Sequence, residues 1–196
     1  MVLSIATDLS KLVTDPVRFA LAYGGGTFGG KTDANGVRVP ASSAQIIRKI
    51  NDHYGIQVFN ENQIFIAYEG FSENIDREIL NQVLETIETA FKRGVEVVLL
   101  TCGTDAMREV GKAVEKWLIK NQDWLSARRN ADGSKKKAKV RITGSNHPMD
   151  YNGTDAWDNL EFSLVTGNIS FDSKGDLIDP RFSIYVVKNG MFVVLQ

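Results

Sequence analysis

Val95-Glu96-Val97-Val98-Leu99-Leu100 lies between two helical patterns, and these six residues decide the fold. The run is rich in β-branched and aliphatic side chains, as suits a parallel strand buried on both faces. Ahead of it, over 75–93, Ile75, Ile79, Leu80, Val83, Leu84, Ile87, Ala90 and Phe91 recur at steps of three and four. That is the one-sided apolar stripe of a helix, and Gly94 stops it. After the strand, Met107, Val110, Ala113, Val114, Trp117 and Leu118 predict a second helix over 105–121. Helix, buried strand, helix is the rhythm of a parallel sheet with crossover connections.

The same alternation extends in both directions. Residues 16–23 read as a strand entering the interior and running into Gly24-Gly25-Gly26-Thr27-Phe28-Gly29-Gly30. So many glycines cannot hold a regular element, because glycine loses the most backbone entropy on ordering. The polar stretch 31–43, with Asn35-Gly36 and Pro40, reads as a mobile loop, followed by a helix over 44–53 and strands near 56–59 and 63–68. Later come a strand over 138–143, a helix over 155–165, and a hairpin pairing 182–187 with 191–195 around Asn189-Gly190. The expected fold class is α/β: a three-layer, Rossmann-like, mainly parallel sheet with a C-terminal β-hairpin, in a single domain over residues 1–196.

Composition narrows the function classes. The chain is 43% apolar and 24% charged, ordinary for a globular protein, so disorder and fibrous repeats are excluded. Lys+Arg 23 against Asp+Glu 24 leaves a formal net charge of -1, so nucleic acid is not the expected partner. The basic run from Arg128 to Arg141 reads as a solvated loop. No apolar run is long enough for a membrane span. The N-terminus shows neither the basic nor the apolar region of a signal peptide, so a cytoplasmic location is expected. Cys102 is the single cysteine; with only His53 and His147 beside it, a zinc site is not expected.

Three polar clusters fall at strand ends: Gly25-Gly26-Thr27, Thr101-Cys102-Gly103-Thr104-Asp105, and Thr143-Gly144-Ser145-Asn146-His147. Ligands of open parallel sheets bind outside the carboxyl ends of the strands, and glycine beside a hydroxyl residue lets a small ligand approach the backbone. The glycine-rich segment fits neither the P-loop spacing nor a dinucleotide fingerprint. Cys102 follows a buried run and reads as a small hydrophobe rather than a nucleophile. For His147, hydrogen bonding or exposure is favoured over acid–base work. Asp105 stands where a helix begins, as either an N-cap or a carboxylate aimed into the cleft.

Together the clusters resemble the signatures of the bacterial-type L-asparaginases. Gly25-Gly26-Thr27-Phe28-Gly29 is similar to that family's Gly-Gly-Thr-Ile-Ala, and Cys102-Gly103-Thr104-Asp105-Ala106-Met107 to its His-Gly-Thr-Asp-Thr-Met. Gly144-Ser145-Asn146-His147-Pro148, with Asp155 and Asn159-Leu160 beyond, resembles Gly-Ala-Met-Arg-Pro…Asp-Gly-Pro-x-Asn-Leu. The resemblance implies an amidohydrolase that releases ammonia from a side-chain carboxamide without metal or cofactor. Thr27 would be the nucleophile, Thr104 the second catalytic threonine, and Asp105 a catalytic carboxylate that contacts the substrate's α-ammonium and supports proton transfer. Gly26, Gly103 and Ser72, the last in Gly70-Phe71-Ser72, would bind substrate, and the segment 31–43 would act as a lid.

The sequence departs from the family at four points. Cys102 replaces the histidine, Ala106 replaces a threonine, and the lid lacks the usual tyrosine. The match covers the family's larger N-terminal domain, without the catalytic lysine or the smaller C-terminal domain. Lys31, Lys188 or a partner chain would have to fill the lysine's place. Three readings follow: an active short amidohydrolase on a small amino-acid-like substrate, a degenerate relative that binds without turnover, and an interaction module. A homo-oligomer is expected, because surface covered by a second domain in the family would be bare.

Overall fold

The computed structural model describes residues 19–165 and the strand residues 170–171, 177–178, 184–188 and 191–195. The elements in chain order are β1 (Phe19–Tyr23), β2 (Gly30–Thr32), β3 (Arg38–Pro40), α1 (Ser43–Tyr54), β4 (Ile64–Ile66) and α2 (Arg77–Lys92). Then follow β5 (Val97–Thr101), α3 (Met107–Lys120), α4 (Gln122–Ala127), β6 (Lys139–Thr143) and α5 (Ala156–Val165). The last strands are β7 (Ser170–Phe171), β8 (Leu177–Ile178), β9 (Ile184–Lys188) and β10 (Met191–Leu195).

Four of these strands form one parallel sheet in the order β4-β1-β5-β6. The apolar pattern of β1 and β5 dictates what covers it. Side chains alternate across a strand, so Ala20, Ala22, Val98 and Leu100 join one buried cluster, with Val83, Ile87 and Phe91 of α2 and Val110 and Val114 of α3. Phe19, Leu21, Tyr23 and Leu99 join the other, with Ile46 and Ile50 of α1 and Leu160 and Leu164 of α5. Helices thus lie on both faces. The chain moves from β1 outward to β4, then crosses back past β1 to β5 and on to β6. That reversal puts a topological switch point between β1 and β5.

Register fixes where the connecting loops begin. Tyr23 is the Cα partner of Ile66 on one side and of Thr101 on the other, and Thr101 is the partner of Thr143. One row across the sheet therefore marks the carboxyl edge, and all four loops leave from the same level.

Local chemistry sets the element ends. Ser42 and Gln45 form a capping box ahead of α1, and Gly55, at φ 64°, closes it in the left-handed region. Asp76 caps α2 by accepting from the Ile79 N–H.

Several expectations need correction. The segment 31–43 is not a loop throughout: β2 and β3 pair antiparallel, Lys31 opposite Val39, and the Asp33 carboxylate holds the turn by accepting from Asn35 N and Val37 N. Residues 56–59 form no strand, because the Asn51 side chain takes the backbone groups a strand would use, binding Val58 N, Phe59 N and Phe59 O. The basic run is not simply a solvated loop. Arg128 donates to Val95 O and lies 5.0 Å from the Phe91 ring, and Lys136 donates to Gly94 O, both just beyond α2. Arg141 donates to Ser163 O and Leu164 O at the end of α5. These cations meet the negative ends of helices. β9 and β10 pair antiparallel, Met191 opposite Lys188, as a ladder separate from the parallel sheet; the intervening Asn189-Gly190 lies outside the described residues. So do residues 16–18 of the first expected strand.

Leu99 is fully buried in the central strand. Leu99→Ala is expected to lower the unfolding free energy by about 2–5 kcal/mol, measured by urea denaturation. A loss below about 1 kcal/mol would show that this strand is not in the core.

Candidate active site

The loops leaving the carboxyl edge are pressed against one another, backbone on backbone. Gly26, at φ 85°, donates its N–H to Gly70 O at 2.7 Å. A Cβ on Gly26 would overlap the backbone of Gly103, and a Cβ on Gly103 would overlap the Ser72 side chain. At both positions only glycine allows the approach. The loops after β1, β4 and β5 therefore meet around one contact.

Ser72 is buried, in a 3-10 turn over Ser72–Asn74 that leads towards α2. Its Oγ lies 3.5 Å from Asp105 Oδ2. Asp105 is not the N-cap of α3: that position is Ala106, which makes no side-chain capping bond. Of the two roles open to Asp105, the structure thus removes the cap. Thr104 and Asp105 are both exposed, in the turn between β5 and α3. Thr27 opens a 3-10 turn over Thr27–Gly29 and directly follows Gly26. The backbones of Thr27 and Thr104 thus each stand one residue from the Gly26–Gly103 contact.

The other candidates are accounted for differently. Burial, aided by the Glu109 carboxylate, pushes the Cys102 thiol up to about 12, so it is protonated at neutral pH. Lys31 donates from Nζ to Gln45 Oε1 at 3.2 Å. Within 19–165 no lysine is seen to hydrogen-bond the Thr104 hydroxyl, and the side chain of Lys188 lies outside what the structure describes. In the loop after β6, Asp155 accepts from Asn146 N, His147 N and the Asn159 amide, which itself donates to Gly144 O at 2.9 Å. His147 stacks on Tyr151 at 4.7 Å, with its Nδ1 3.7 Å from Asp155. That cluster organises its own loop.

Two contributors went unread in the sequence. Glu69 Oε1 accepts from Ser43 N at 2.6 Å, tying the start of α1 to the segment that carries Ser72. Arg38, on β3, lies with its guanidinium 5.1 Å from the Phe71 ring. Reading 31–43 as a loop hid Arg38. The Asp33…Asn35-Gly36 turn signal between two short polar runs was the available clue. No group of three His, Cys, Asp or Glu able to hold a metal is found among the described residues, and no helix there is long and apolar enough to cross a membrane.

The asparaginase N-terminal family model matches residues 18–123, more than half of the chain and the stretch containing Gly26, Thr27, Ser72, Gly103, Thr104 and Asp105. The chain belongs to the asparaginase N-terminal family. The thermostable L-asparaginase from Thermococcus kodakarensis aligns at 20% identity and a TM-score of 0.51, over 90% of this chain and 45% of that one. L-asparaginase I from Vibrio cholerae aligns at 16% identity and a TM-score of 0.50, over 79% of this chain and 42% of that one. At these identities the likeness concerns the fold, and the chain spans less than half the length of either structure. A search of curated protein sequences returned no match.

For this asparaginase-family chain, the buried thiol predicts a pH effect. The native thiol holds its proton from 9.0, the ordinary value, to about 12, while the unfolded thiol loses it. The contribution of Cys102 to stability is therefore full at neutral pH and falls as pH rises through that window. Iodoacetamide at about pH 8 is expected to leave the native protein unmodified and to alkylate it once unfolded. Rapid alkylation of the native form would contradict this.

Proposed function

We propose that the loops at the carboxyl edge form an amidohydrolase site, which takes a small amino-acid carboxamide such as asparagine and releases ammonia. One observation supports the proposal: Gly26 closely approaches Gly103, with Ser72 against Asp105, so residues of three loops that the family resemblance would make functional lie together. Ser72 and Asp105 suit the two ends of a zwitterion. The Asp105 carboxylate would take the α-ammonium, and the Ser72 hydroxyl would donate to the α-carboxylate. A bound amino acid would thereby replace their long 3.5 Å contact with two charge-assisted ones.

In the reaction, Thr27 Oγ attacks the carboxamide carbon and gives up its proton through the Thr104 hydroxyl. A tetrahedral adduct forms, its oxyanion facing backbone N–H groups of the glycine-rich segments. The carbon–nitrogen bond breaks and the nitrogen leaves as ammonia, the proton returning to it. Water then attacks the Thr27 ester, and the bond from the acyl carbon to Thr27 Oγ breaks. The acyl group leaves as the carboxylic acid, and a proton from the water restores the Thr27 hydroxyl. No cofactor is required.

A second reading, binding without turnover, draws on a specific observation. Within 19–165 no lysine hydrogen-bonds Thr104, and an alcohol relay without a base loses orders of magnitude in rate.

Ammonia release from asparagine and glutamine decides between them. Turnover by the wild type that falls about 10³-fold or more in Thr27→Val supports the hydrolase. Release equal in both proteins removes Thr27 as nucleophile. Calorimetric binding of aspartate by a protein without turnover, lost in Asp105→Ala, supports the second reading.

A further inference from the structure

The β2–β3 hairpin is rooted firmly and held loosely. At its root, Ala41 N donates to Gly29 O at 2.7 Å, and the buried Tyr23 hydroxyl donates to Ala41 O at 2.9 Å. At its tip, the Asp33 bonds among the described residues stay within its own turn, and Val37 is 56% exposed. Between root and tip the hairpin makes two cationic contacts to other described residues. Lys31 reaches Gln45 on α1, which carries no site residue. Arg38 lies over Phe71, the residue directly before Ser72.

We propose that Arg38 is a positioning residue that latches the Gly30–Pro40 hairpin onto the Phe71–Ser72 turn, so that hairpin and Ser72 hydroxyl move as one unit. The significance of that coupling rests on the reading of Ser72 and Asp105 as ligand-binding groups. The connection is short on both sides. β2 begins three residues after Thr27, in a turn where Gly29 N donates to Gly26 O at 3.2 Å. Ser72 Oγ in turn meets Asp105. Closing the hairpin through Arg38 therefore ties the Thr27 segment and the Ser72 turn to the same Gly26–Gly103 contact. Arg38 is exposed and Phe71 half-buried, and a cation–ring contact at such a surface site shifts an equilibrium by about two- to fivefold. Such a latch holds the closed form while leaving it free to open.

Amide hydrogen exchange of the ligand-free full chain tests this in peptides covering 30–40 and 70–75. Arg38→Met keeps the aliphatic stem and removes the charge, and it should speed exchange in both segments by about two- to fivefold. Arg38→Lys should stay at the wild-type rate. Phe71→Leu should match Arg38→Met, with the double variant no faster than either single one. Unchanged exchange at 70–75 in Arg38→Met would overturn the coupling. A lysine variant as fast as the methionine variant, or additive effects in the double variant, would overturn it too. Calorimetry with aspartate on the same proteins should show affinity falling by the same factor in Arg38→Met. If the wild type binds no aspartate, the amino-acid site fails, while the exchange data still decide the latch.

Discussion

The close packing of Gly26, Gly70 and Gly103 is the constraint on which the site depends. Backbone from three loops converges there, and a single methyl at Gly26 or Gly103 would push them apart. The Glu69–Ser72 segment, which includes Gly70, gathers the surroundings. Glu69 takes the start of α1, Gly70 accepts from Gly26, Phe71 receives Arg38, and Ser72 meets Asp105. Four successive residues thus bind four different parts of the chain. A parallel sheet supplies the common level from which the loops start; the segment supplies their closure.

The core explains why this edge can be so glycine-rich without collapsing. Tyr23, the last residue of β1, is buried, and its hydroxyl is held neutral well above the usual range by burial and by the Glu69 carboxylate. It therefore remains a donor to Ala41 O and fixes the hairpin root. Thr101, beside it in register, accepts from Gly24 N at 3.1 Å. The mobile-looking glycines are anchored by side chains at the sheet's rim, so their freedom serves close approach rather than disorder.

Much of this was legible in the sequence, for physical reasons that differ by residue. The apolar run at Val97–Leu100 and the stripe from Val83 to Phe91 announce burial directly, since both faces of the strand and one face of the helix must leave water. Gly26 and Gly103 stand in glycine–hydroxyl clusters at strand ends, Ser72 is pointed to only by the family resemblance, and the fold brings their segments together. The hairpin was legible only at its turn, because its strands are three residues each and carry Lys31, Thr32 and Arg38, too short for an alternation to mark a buried face. Asn51 substitutes for a strand partner through a side-chain contact, which no local pattern announces. Arg128, Lys136 and Arg141 looked like a solvated charge run, because helix ends distant in sequence are invisible to a local reading.

The central claim is that loops distant along the chain form one site for a small amino acid. A nitrogen–proton NMR titration with aspartate tests it most directly. The account predicts that the amides of Gly26, Thr27, Gly70, Ser72, Gly103, Thr104 and Asp105 shift together with one dissociation constant. Shifts absent from these residues, or confined to one of the three loops, would contradict it.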